Sequence, residues 1–329
     1  MKNQRKIFIT GATGFIGSHL AELLVMKGYE VVAFDRYNPN NNWGWLENSN
    51  FKNEMDVILG DIRDFDSVNK SMEGCGAVFH LAALIGIPYS YVSPLAYIRT
   101  NIEGTYNILE AARGRGLEQV LITSTSETYG TAQYTPMDEN HPLIGQSPYS
   151  ATKISADQLA FSYFKSFDLP VKIVRPFNTY GPRQSARAII PTVISQLLND
   201  AKVINLGNLS PTRDLTFVKD TCNGFIEIYN SKNLFGEVTN VGMNEEISMG
   251  DLVNLIADQM SKKVKIISTD ERIRPKNSEV ERLVCDNTKI KANTNWKPEY
   301  SIEKGILETI NWMGTPDNLK LYKSEQYNV

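Results

Sequence analysis

The chain has 329 residues, a net charge of −3 and 42% hydrophobic residues, a composition typical of a globular protein and not of a fibrous or disordered one. The weak acidity indicates neither a nucleic-acid partner nor a polybasic membrane patch. No apolar run approaches the ~20 residues that cross a bilayer, and no signal-peptide core follows Met1, so we expect a cytoplasmic protein. The three cysteines, Cys75, Cys222 and Cys285, are far apart, which predicts neither a disulfide framework nor a metal site.

The first predicted elements are a strand over Lys6–Thr10, a glycine-rich turn, a helix over Ser18–Lys27 and a strand over Glu30–Phe34. Glycines allow a tight turn and a close approach of the backbone to a pyrophosphate, and the helix N-terminus offers free N–H groups. Asp35 lies about 20 residues after the last glycine, where a carboxylate can accept hydrogen bonds from ribose hydroxyls. The predicted cofactor contacts of this unit are Gly11, Thr13, Gly14, Phe15, Ile16, Gly17, Asp35 and Arg36.

The end of the second strand also bears on the choice of cofactor. The Asp35 carboxylate would repel the 2′-phosphate of NADP, so NAD is the predicted cofactor. The neighbouring Arg36 leaves NADP open, because a guanidinium can bind that phosphate. The polar residues 37–53 that come next predict an irregular surface segment.

Strands and helices continue to alternate after this unit. We predict strands over Asp56–Leu59, Ala77–His80, Gln119–Ile122 and Val171–Val174, and helices over Ser67–Met72, Pro94–Arg113 and Ser147–Phe167. This alternation predicts an α/β fold with a doubly wound parallel sheet, a Rossmann domain over residues 1–178. Ligands bind at the carboxyl ends of such strands. The further predicted cofactor contacts are Asp61, Ile62, Leu81, Ala82, Ala83, Asn101, Thr123, Tyr149, Lys153 and Pro176, whereas His80 is predicted to be packed.

Tyr149 and Lys153 lie one turn apart on the same face of a predicted helix. An ammonium beside a phenol favours the phenolate and lowers the phenol pKa, and a phenolate can act as a general base on a sugar hydroxyl. A lone pair at this spacing is also common on ordinary helix surfaces, so the interpretation depends on the dinucleotide motif. Thr125, Ser126 and Glu127, which come after the preceding strand, are the other candidate catalytic residues.

The second half of the chain is less regular. Helices are predicted over Pro191–Asn199, Met249–Met260 and Ser301–Trp312, and a strand over Val203–Leu206. We interpret residues 179–329 mainly as a smaller C-terminal α/β lobe that binds substrate, with a segment of roughly 214–245 returning to the first domain. Arginines in its loops suit an anionic ligand, although single surface arginines often make only ion pairs. The predicted substrate contacts are Asn178, Arg187, Gly207, Arg213 and Arg274.

Together these motifs resemble those of the extended short-chain dehydrogenases/reductases, in the NAD-dependent nucleotide-sugar epimerase/dehydratase group. The resemblance runs from Lys6 to Trp312. It rests on stretches such as Gly-Ala-Thr-Gly-Phe-Ile-Gly, Thr-Asn-Ile-Glu-Gly-Thr, Thr-Ser-Glu-Thr-Tyr-Gly, Tyr-Ser-Ala-Thr-Lys and Arg-Pro-Phe-Asn-Thr-Tyr-Gly-Pro-Arg-Gln. It implies that Tyr149 is the active-site base, that Lys153 is its partner and a nicotinamide-ribose ligand, and that Thr125 orients the sugar.

The resemblance implies further properties. NAD is expected to be tightly held, and the protein is expected to be a homodimer joined through the helices Pro94–Arg113 and Ser147–Phe167. Arg213, with Arg187 and Arg274, is expected to clamp the diphosphate of a nucleotide sugar. The implied process is polysaccharide biosynthesis.

The residue after Ser126 bears on the reaction. Simple 4-epimerases of the group usually carry small or apolar residues there, whereas 4,6-dehydratases use a glutamate to remove the sugar C5 proton after C4 is oxidised. The dTDP-glucose dehydratases carry Asp at the middle position, so Thr-Ser-Glu is more similar to the GDP-mannose dehydratases. UDP-glucuronate decarboxylases share the same triplet, and for them Glu127 need not be a base.

The C-terminal stretch Glu271–Val280 resembles that of dehydratases acting on N-acetylglucosamine nucleotides in the legionaminic acid pathway. The expected function is therefore a 4,6-dehydratase (lyase) acting on GDP-N-acetylglucosamine. A UDP-glucuronate-type decarboxylase is the second expectation and a 4-epimerase the third. A non-catalytic NAD-binding sensor or scaffold is the least favoured, because such relatives usually lose the pair formed here by Tyr149 and Lys153.

Overall fold

A seven-stranded parallel sheet forms the centre of the computed structural model, which describes residues 6–268 and 275–322. Its strand order is β7-β6-β5-β4-β1-β2-β3, and every neighbouring pair is parallel. The strands are β1 (Lys6–Thr10), β2 (Glu30–Arg36), β3 (Met55–Gly60), β4 (Ala77–His80), β5 (Gln119–Thr123), β6 (Val171–Pro176) and β7 (Val238–Val241). The order reverses between β1 and β4, which opens a crevice at the carboxyl ends of the strands.

Helices cover both faces of this sheet and build the second lobe. They are α1 (Phe15–Met26), α2 (Phe65–Ser71), α3 (Ile87–Val92), α4 (Pro94–Tyr97), α5 (Gly104–Arg115), α6 (Pro148–Phe167), α7 (Ile189–Leu198), α8 (Val218–Asn230), α9 (Met249–Gln259), α10 (Thr288–Asn293), α11 (Ile302–Met313) and α12 (Pro316–Leu319). Leu20 of α1 and Phe225 of α8 are fully buried in the core on one face of the sheet. Val68 of α2 and Ile108 of α5 are fully buried in the core on the opposite face. The predicted doubly wound sheet is confirmed.

The predicted helix over Pro94–Arg113 is interrupted. Between α4 and α5, residues Ile98–Glu103 form a π-helical turn that contains the buried Asn101. The Asn101 side chain accepts from Leu84 N at 2.8 Å and donates to Leu84 O and to Thr152 Oγ1 of α6, both at 3.0 Å. The Thr105 hydroxyl donates to Asn101 O at 2.6 Å and so competes with the regular i→i−4 bond at that carbonyl, and π turns of this kind often lie at functional sites.

Local signals set several helix ends. Asp64 caps α2 by accepting from Asp66 N and Ser67 N, and Ser147 with Ser150 forms a capping box at the start of α6. These bonds satisfy N–H groups that have no partner within the helix. Helix α1 begins earlier than predicted, at Phe15, because the glycine-rich turn leads into it directly.

The C-terminal lobe is built from short strands and helices α7, α9 and α11. Thr212–Arg213 pairs with Ile247–Ser248 and Arg282–Leu283, and Val203–Leu206 pairs with Lys265–Ser268. The connecting helix α8 was not predicted. It leads into β7, which comes from the segment of roughly 214–245 and forms one edge of the main sheet beside β6. Within the part of the chain described, no helix is long and apolar enough to cross a membrane.

Candidate active site

The glycine-rich turn after β1 leaves no room for side chains. A Cβ on Gly17 would lie 2.0 Å from Gly11 O, and one on Gly11, whose φ is +70°, would lie 2.8 Å from Ala82 N. Gly14 caps α1 without a side-chain hydrogen bond, so the first N–H groups of that helix can bind an anion. The close approach of Leu81 and Ala82 to the turn is possible because Gly11 has no side chain. These residues fit the pyrophosphate of a dinucleotide.

Asp35 holds the same turn from the end of β2. Its Oδ2 accepts from Thr13 N at 2.7 Å and from Thr13 Oγ1 at 2.6 Å, and its Oδ1 accepts from Arg36 N at 2.6 Å. A carboxylate offers about four acceptor positions, so with three of them occupied Asp35 keeps about one for a ribose hydroxyl. Arg36 is exposed, and no hydrogen bond from its guanidinium is found among the described residues.

The residues predicted beside the adenine take part in other contacts. Arg63 binds the Asp61 carboxylate through Nε, at 2.9 and 3.0 Å, and holds its pKa below the ordinary value. Ile62 is buried, and its carbonyl accepts from Asn107 Nδ2 at 2.9 Å. Both residues lie directly after β3, at the carboxyl edge of the sheet, where the fold places the adenosine half of a dinucleotide.

The Thr-Ser-Glu triplet forms a short turn immediately after β5. Thr125 is the N-cap of a 3₁₀ turn over Ser126–Tyr129, and its Oγ1 accepts from Glu127 N at 3.3 Å. Ser126 is buried, whereas Glu127 is half-buried. The Thr125 hydroxyl is also close enough to the Tyr149 phenol to lower its pKa. The turn therefore brings the hydroxyl and the carboxylate to the same side as the phenol.

Tyr149 and Lys153 lie together on α6, as predicted, but their protonation differs from the prediction. Burial raises the pKa of Tyr149 well above its ordinary value; the bond with Thr125 opposes this rise and the charge of Glu127 adds to it. Burial also lowers the pKa of Lys153, whose Nζ donates to Thr123 O at 2.5 Å. Burial of the phenol outweighs the lowering of its pKa that the sequence predicts, and the Lys153 ammonium bonds to a backbone carbonyl.

His80 is packed, as predicted. It is 2% exposed, and its Nδ1 and Nε2 lie 2.7 Å from Thr10 Oγ1 and 3.1 Å from Thr105 Oγ1. Because the Thr105 hydroxyl donates to Asn101 O, it accepts from His80 Nε2–H. Burial lowers the pKa of His80 to about 3, so this ring stays neutral and is no candidate base.

A buried network behind the site was not predicted from the sequence. Arg175 donates from Nη2 to Asp157 Oδ2 at 2.7 Å, and the Ser124 hydroxyl donates to the same oxygen at 2.6 Å. The Arg175 guanidinium also lies over the ring of Tyr129, 4.6 Å from its centroid. Asp157 stands one turn after Lys153, and its charge opposes the fall in the Lys153 pKa. The i+4 spacing was the only signal in the sequence.

The predicted substrate contacts are only partly assembled. Asn178 lies two residues after Pro176, the end of β6, and its Oδ1 is buried without a hydrogen-bond partner among the described residues. Arg213 is buried and forms an ion pair with Glu279, 3.3 Å from Nη2 to Oε1. Gly207 comes directly after the strand Val203–Leu206. Arg274 lies outside the described residues.

Arg187 is exposed and lies beside the turn at Gly86. A Cβ on Gly86 would lie 3.6 Å from Arg187 Nη1 and equally far from Tyr97 Oη. No acidic partner of Arg187 is found in the described part of the chain. Its guanidinium is thus a cation near the catalytic helix that can receive an anionic group.

Comparison with known proteins identifies the family. The family model described as GDP-mannose 4,6 dehydratase matches residues 8–309. The dTDP-glucose 4,6-dehydratase of Streptomyces antibioticus is 31% identical, covering 93% of this chain and 91% of the relative. The UDP-N-acetyl-alpha-D-glucosaminuronate decarboxylase of Bacillus cytotoxicus is also 31% identical, covering 96% and 99%.

A solved structure adds a third activity. The UDP-glucuronic acid 4-epimerase of Bacillus cereus, in complex with UDP-glucuronic acid and NAD, superimposes with a TM-score of 0.85 at 29% identity, covering 96% of this chain and 100% of the epimerase. Dehydratases, decarboxylases and epimerases are thus all similar over nearly the whole chain. The chain belongs to the NAD-dependent nucleotide-sugar epimerase/dehydratase family of the short-chain dehydrogenases/reductases.

Proposed function

We propose that the protein is an NAD-dependent nucleotide-sugar 4,6-dehydratase. The observation that carries this proposal is the position of Glu127, whose half-buried carboxylate lies close enough to Tyr149 to raise the pKa of its phenol. A 4-ketone acidifies the neighbouring C5 proton of the sugar, and a carboxylate within hydrogen-bonding reach can remove it. Oxidation at C4, loss of water across C5 and C6 and reduction at C6 then give a 4-keto-6-deoxy sugar nucleotide.

Each catalytic side chain has a separate task in this proposal. Tyr149 takes the proton of the C4 hydroxyl in its phenolate form, which the neighbouring Thr125 hydroxyl favours, and the same hydroxyl orients the sugar. Glu127 takes the C5 proton and returns a proton to the departing C6 hydroxyl, because Ser126 is too weak an acid for that role. Lys153, whose buried ammonium bonds to the carbonyl of Thr123 at the end of β5, would bind the nicotinamide ribose.

NAD is the proposed cofactor, held by residues 1–178. It supplies the hydride acceptor when bound. The glycine-rich turn from Gly11 to Gly17 would hold the pyrophosphate, and Asp35 the adenosine ribose, as their geometry allows. Residues 179–329, together with Asn178 at the end of the first domain, would bind the nucleotide sugar, and Asn178, Arg187 and Arg213 would face its diphosphate.

The best single substrate is GDP-N-acetylglucosamine. The support for it is the Thr-Ser-Glu triplet and the stretch Glu271–Val280, both of which resemble those of GDP-sugar dehydratases. A decarboxylase of UDP-uronic acids is the second candidate, favoured by Arg187, whose exposed guanidinium beside Gly86 can bind a sugar carboxylate. In that reaction 4-oxidation labilises the carboxylate and Glu127 is not needed as a base.

A panel of nucleotide sugars assayed by mass spectrometry tests the proposal. With GDP-N-acetylglucosamine we expect a product lighter by one water, in which the C4 carbonyl is present. Loss of carbon dioxide from a UDP-uronic acid, with no reaction on neutral hexose nucleotides, would replace this proposal by decarboxylation. Recovery of a sugar nucleotide of unchanged mass and altered C4 configuration would indicate a 4-epimerase.

We also propose a homodimer joined through the helices around Pro94–Arg115 and α6. Leu95, Ile98 and Tyr106 expose 56%, 47% and 46% of their surface along the first of these helices, and apolar stripes of this kind mark interfaces. Tyr106→Asp should therefore yield monomers of 37.0 kDa by light scattering, where the unaltered protein gives twice that mass. Leu307→Asp, at a comparably exposed leucine of α11, is the control, and a monomeric unaltered protein would contradict the proposal.

A further inference from the structure

Tyr97 is a buried tyrosine that lies between the two halves of the catalytic site. It is 1% exposed at the end of α4, directly before the π-helical turn. Its hydroxyl donates to Gly86 O at 2.5 Å. Its ring meets that of Tyr149 edge to face, with centroids 6.3 Å apart and planes at 77°. One side chain thus contacts both the candidate base and a loop at the edge of the site.

The loop that Tyr97 contacts is fixed at two points by nearby residues of the same helical segment. Asn101, one turn later, holds Leu84 through both its backbone N–H and its carbonyl. Tyr97 holds Gly86 through its carbonyl. These three bonds tie residues 84–86 to the segment that precedes α5, and the loop has no other side-chain hydrogen bond to its backbone among the described residues.

The same segment also fixes the catalytic helix at two points. Asn101 donates to Thr152 Oγ1 at 3.0 Å, and the ring of Tyr97 packs on that of Tyr149 within an apolar cluster completed by Ile87 and Leu84. Edge-to-face aromatic pairs prefer a defined geometry, so the Tyr97 ring restricts the rotation of the Tyr149 ring. The loop and the base are therefore positioned by one rigid element.

The Gly86 turn also lies next to Arg187, a predicted substrate contact. Arg187 Nη1 lies near the Gly86 turn, and its charge is close enough to Tyr97 to oppose the rise in the Tyr97 pKa. Burial nevertheless raises the pKa of Tyr97 to about 12. The hydroxyl therefore remains a donor to Gly86 O at any pH at which the enzyme works. The Gly86 turn thus lies beside both Arg187 and Tyr97, and Tyr97 in turn contacts the ring of the candidate base.

We propose that Tyr97 is a positioning residue with two separable roles: its hydroxyl sets the Gly86 turn that borders the nucleotide-sugar site, and its ring sets the orientation of the Tyr149 phenol. This inference rests on the proposed function only in that Tyr149 is taken as the base that initiates C4 oxidation. It does not depend on the later steps of the reaction, because dehydratases, decarboxylases and 4-epimerases share that first step.

Two variants separate the roles. Tyr97→Phe removes the hydroxyl and keeps the ring, so the KM for the nucleotide sugar should rise about fivefold, as expected for one lost hydrogen bond, while kcat changes little. Tyr97→Leu also removes the ring, and a base misplaced by about 1 Å should lower the rate of bound NADH formation in a single turnover by on the order of a hundredfold. The NAD content of the purified protein should be unchanged in both.

Tyr180→Phe is the matched control. Tyr180 is also 1% exposed, and its hydroxyl also donates to a backbone carbonyl, Ile302 O at 3.3 Å, but in the C-terminal lobe. The Tyr180→Phe variant should have an unaltered KM and an unaltered rate of NADH formation, whatever the effect of the change on the melting temperature. If Tyr97→Phe and Tyr97→Leu match Tyr180→Phe in both quantities, Tyr97 is only a structural residue and the proposal fails. If the unaltered protein forms bound NADH but does not dehydrate the sugar, the proposed reaction is wrong, whereas the inference about Tyr97 is unaffected.

Discussion

Replacing Glu127 by Gln should stop the reaction after the sugar is oxidised, so that reduced cofactor accumulates on the enzyme. Gln keeps the size of the side chain and its acceptor oxygen but cannot take a proton from C5. Tyr149, Thr125 and Lys153 are unaltered, so oxidation at C4 proceeds. The measurement is the absorbance of enzyme-bound NADH after mixing with GDP-N-acetylglucosamine, together with product formation, which should fall by about 10²- to 10⁴-fold, the usual contribution of a general base.

Glu139→Gln is the control for this variant. Glu139 is also half-buried, lies in the same stretch of chain, and accepts from Asn240 N at 2.8 Å through an oxygen that glutamine retains. It should turn over at the normal rate without accumulating NADH. Wild-type turnover by Glu127→Gln would show that Glu127 is not the C5 base, and would favour the decarboxylase, in which the glutamate has no such task.

The parts of the site that depend on local sequence were predictable. The glycine spacing and the acid at the end of β2 involve contacts within a turn or between adjacent elements, and the spacing of Tyr149 and Lys153 lies within one helix. The helix α8, which was not predicted, carries a similar local signal: Val218, Cys222, Phe225, Ile226 and Tyr229 are all buried and recur at helical spacing. Periodicity of this kind is the primary sign of an amphipathic helix.

Features that depend on distant contacts could not be predicted. The polar composition of residues 37–53 predicts a surface loop, yet Trp45 N donates to Thr13 O at 3.0 Å and Leu46 is fully buried. The pairing of Asp157 with Arg175 joins α6 to β6, which only the folded sheet brings together. The sign of the pKa shift of Tyr149 depends on burial, which no spacing of residues reveals, because desolvation of a phenol outweighs the bond it makes with Thr125.

Tyr149→Phe should abolish most of the oxidation while leaving the cofactor bound. The change removes only the phenol oxygen, so its bond with Thr125 is lost, whereas the ring keeps its contact with Tyr97. Without a base for the C4 hydroxyl, formation of bound NADH in a single turnover should slow by about 10²- to 10⁴-fold. The proposed NAD contacts at Asp35 and in the glycine-rich turn are remote from this oxygen, so the NAD content of the purified protein should not change.

Tyr163→Phe separates this effect from the general cost of deleting a buried hydroxyl. Tyr163 lies on the same helix, is 6% exposed, and donates to Glu110 Oε2 at 2.7 Å, away from the catalytic turn. The Tyr163→Phe variant should oxidise the substrate at the normal rate even if its melting temperature falls. Because Glu127→Gln is expected to accumulate NADH and Tyr149→Phe is expected to form almost none, the double variant should behave as Tyr149→Phe. Accumulation of NADH in the double variant would mean that a group other than Tyr149 takes the first proton.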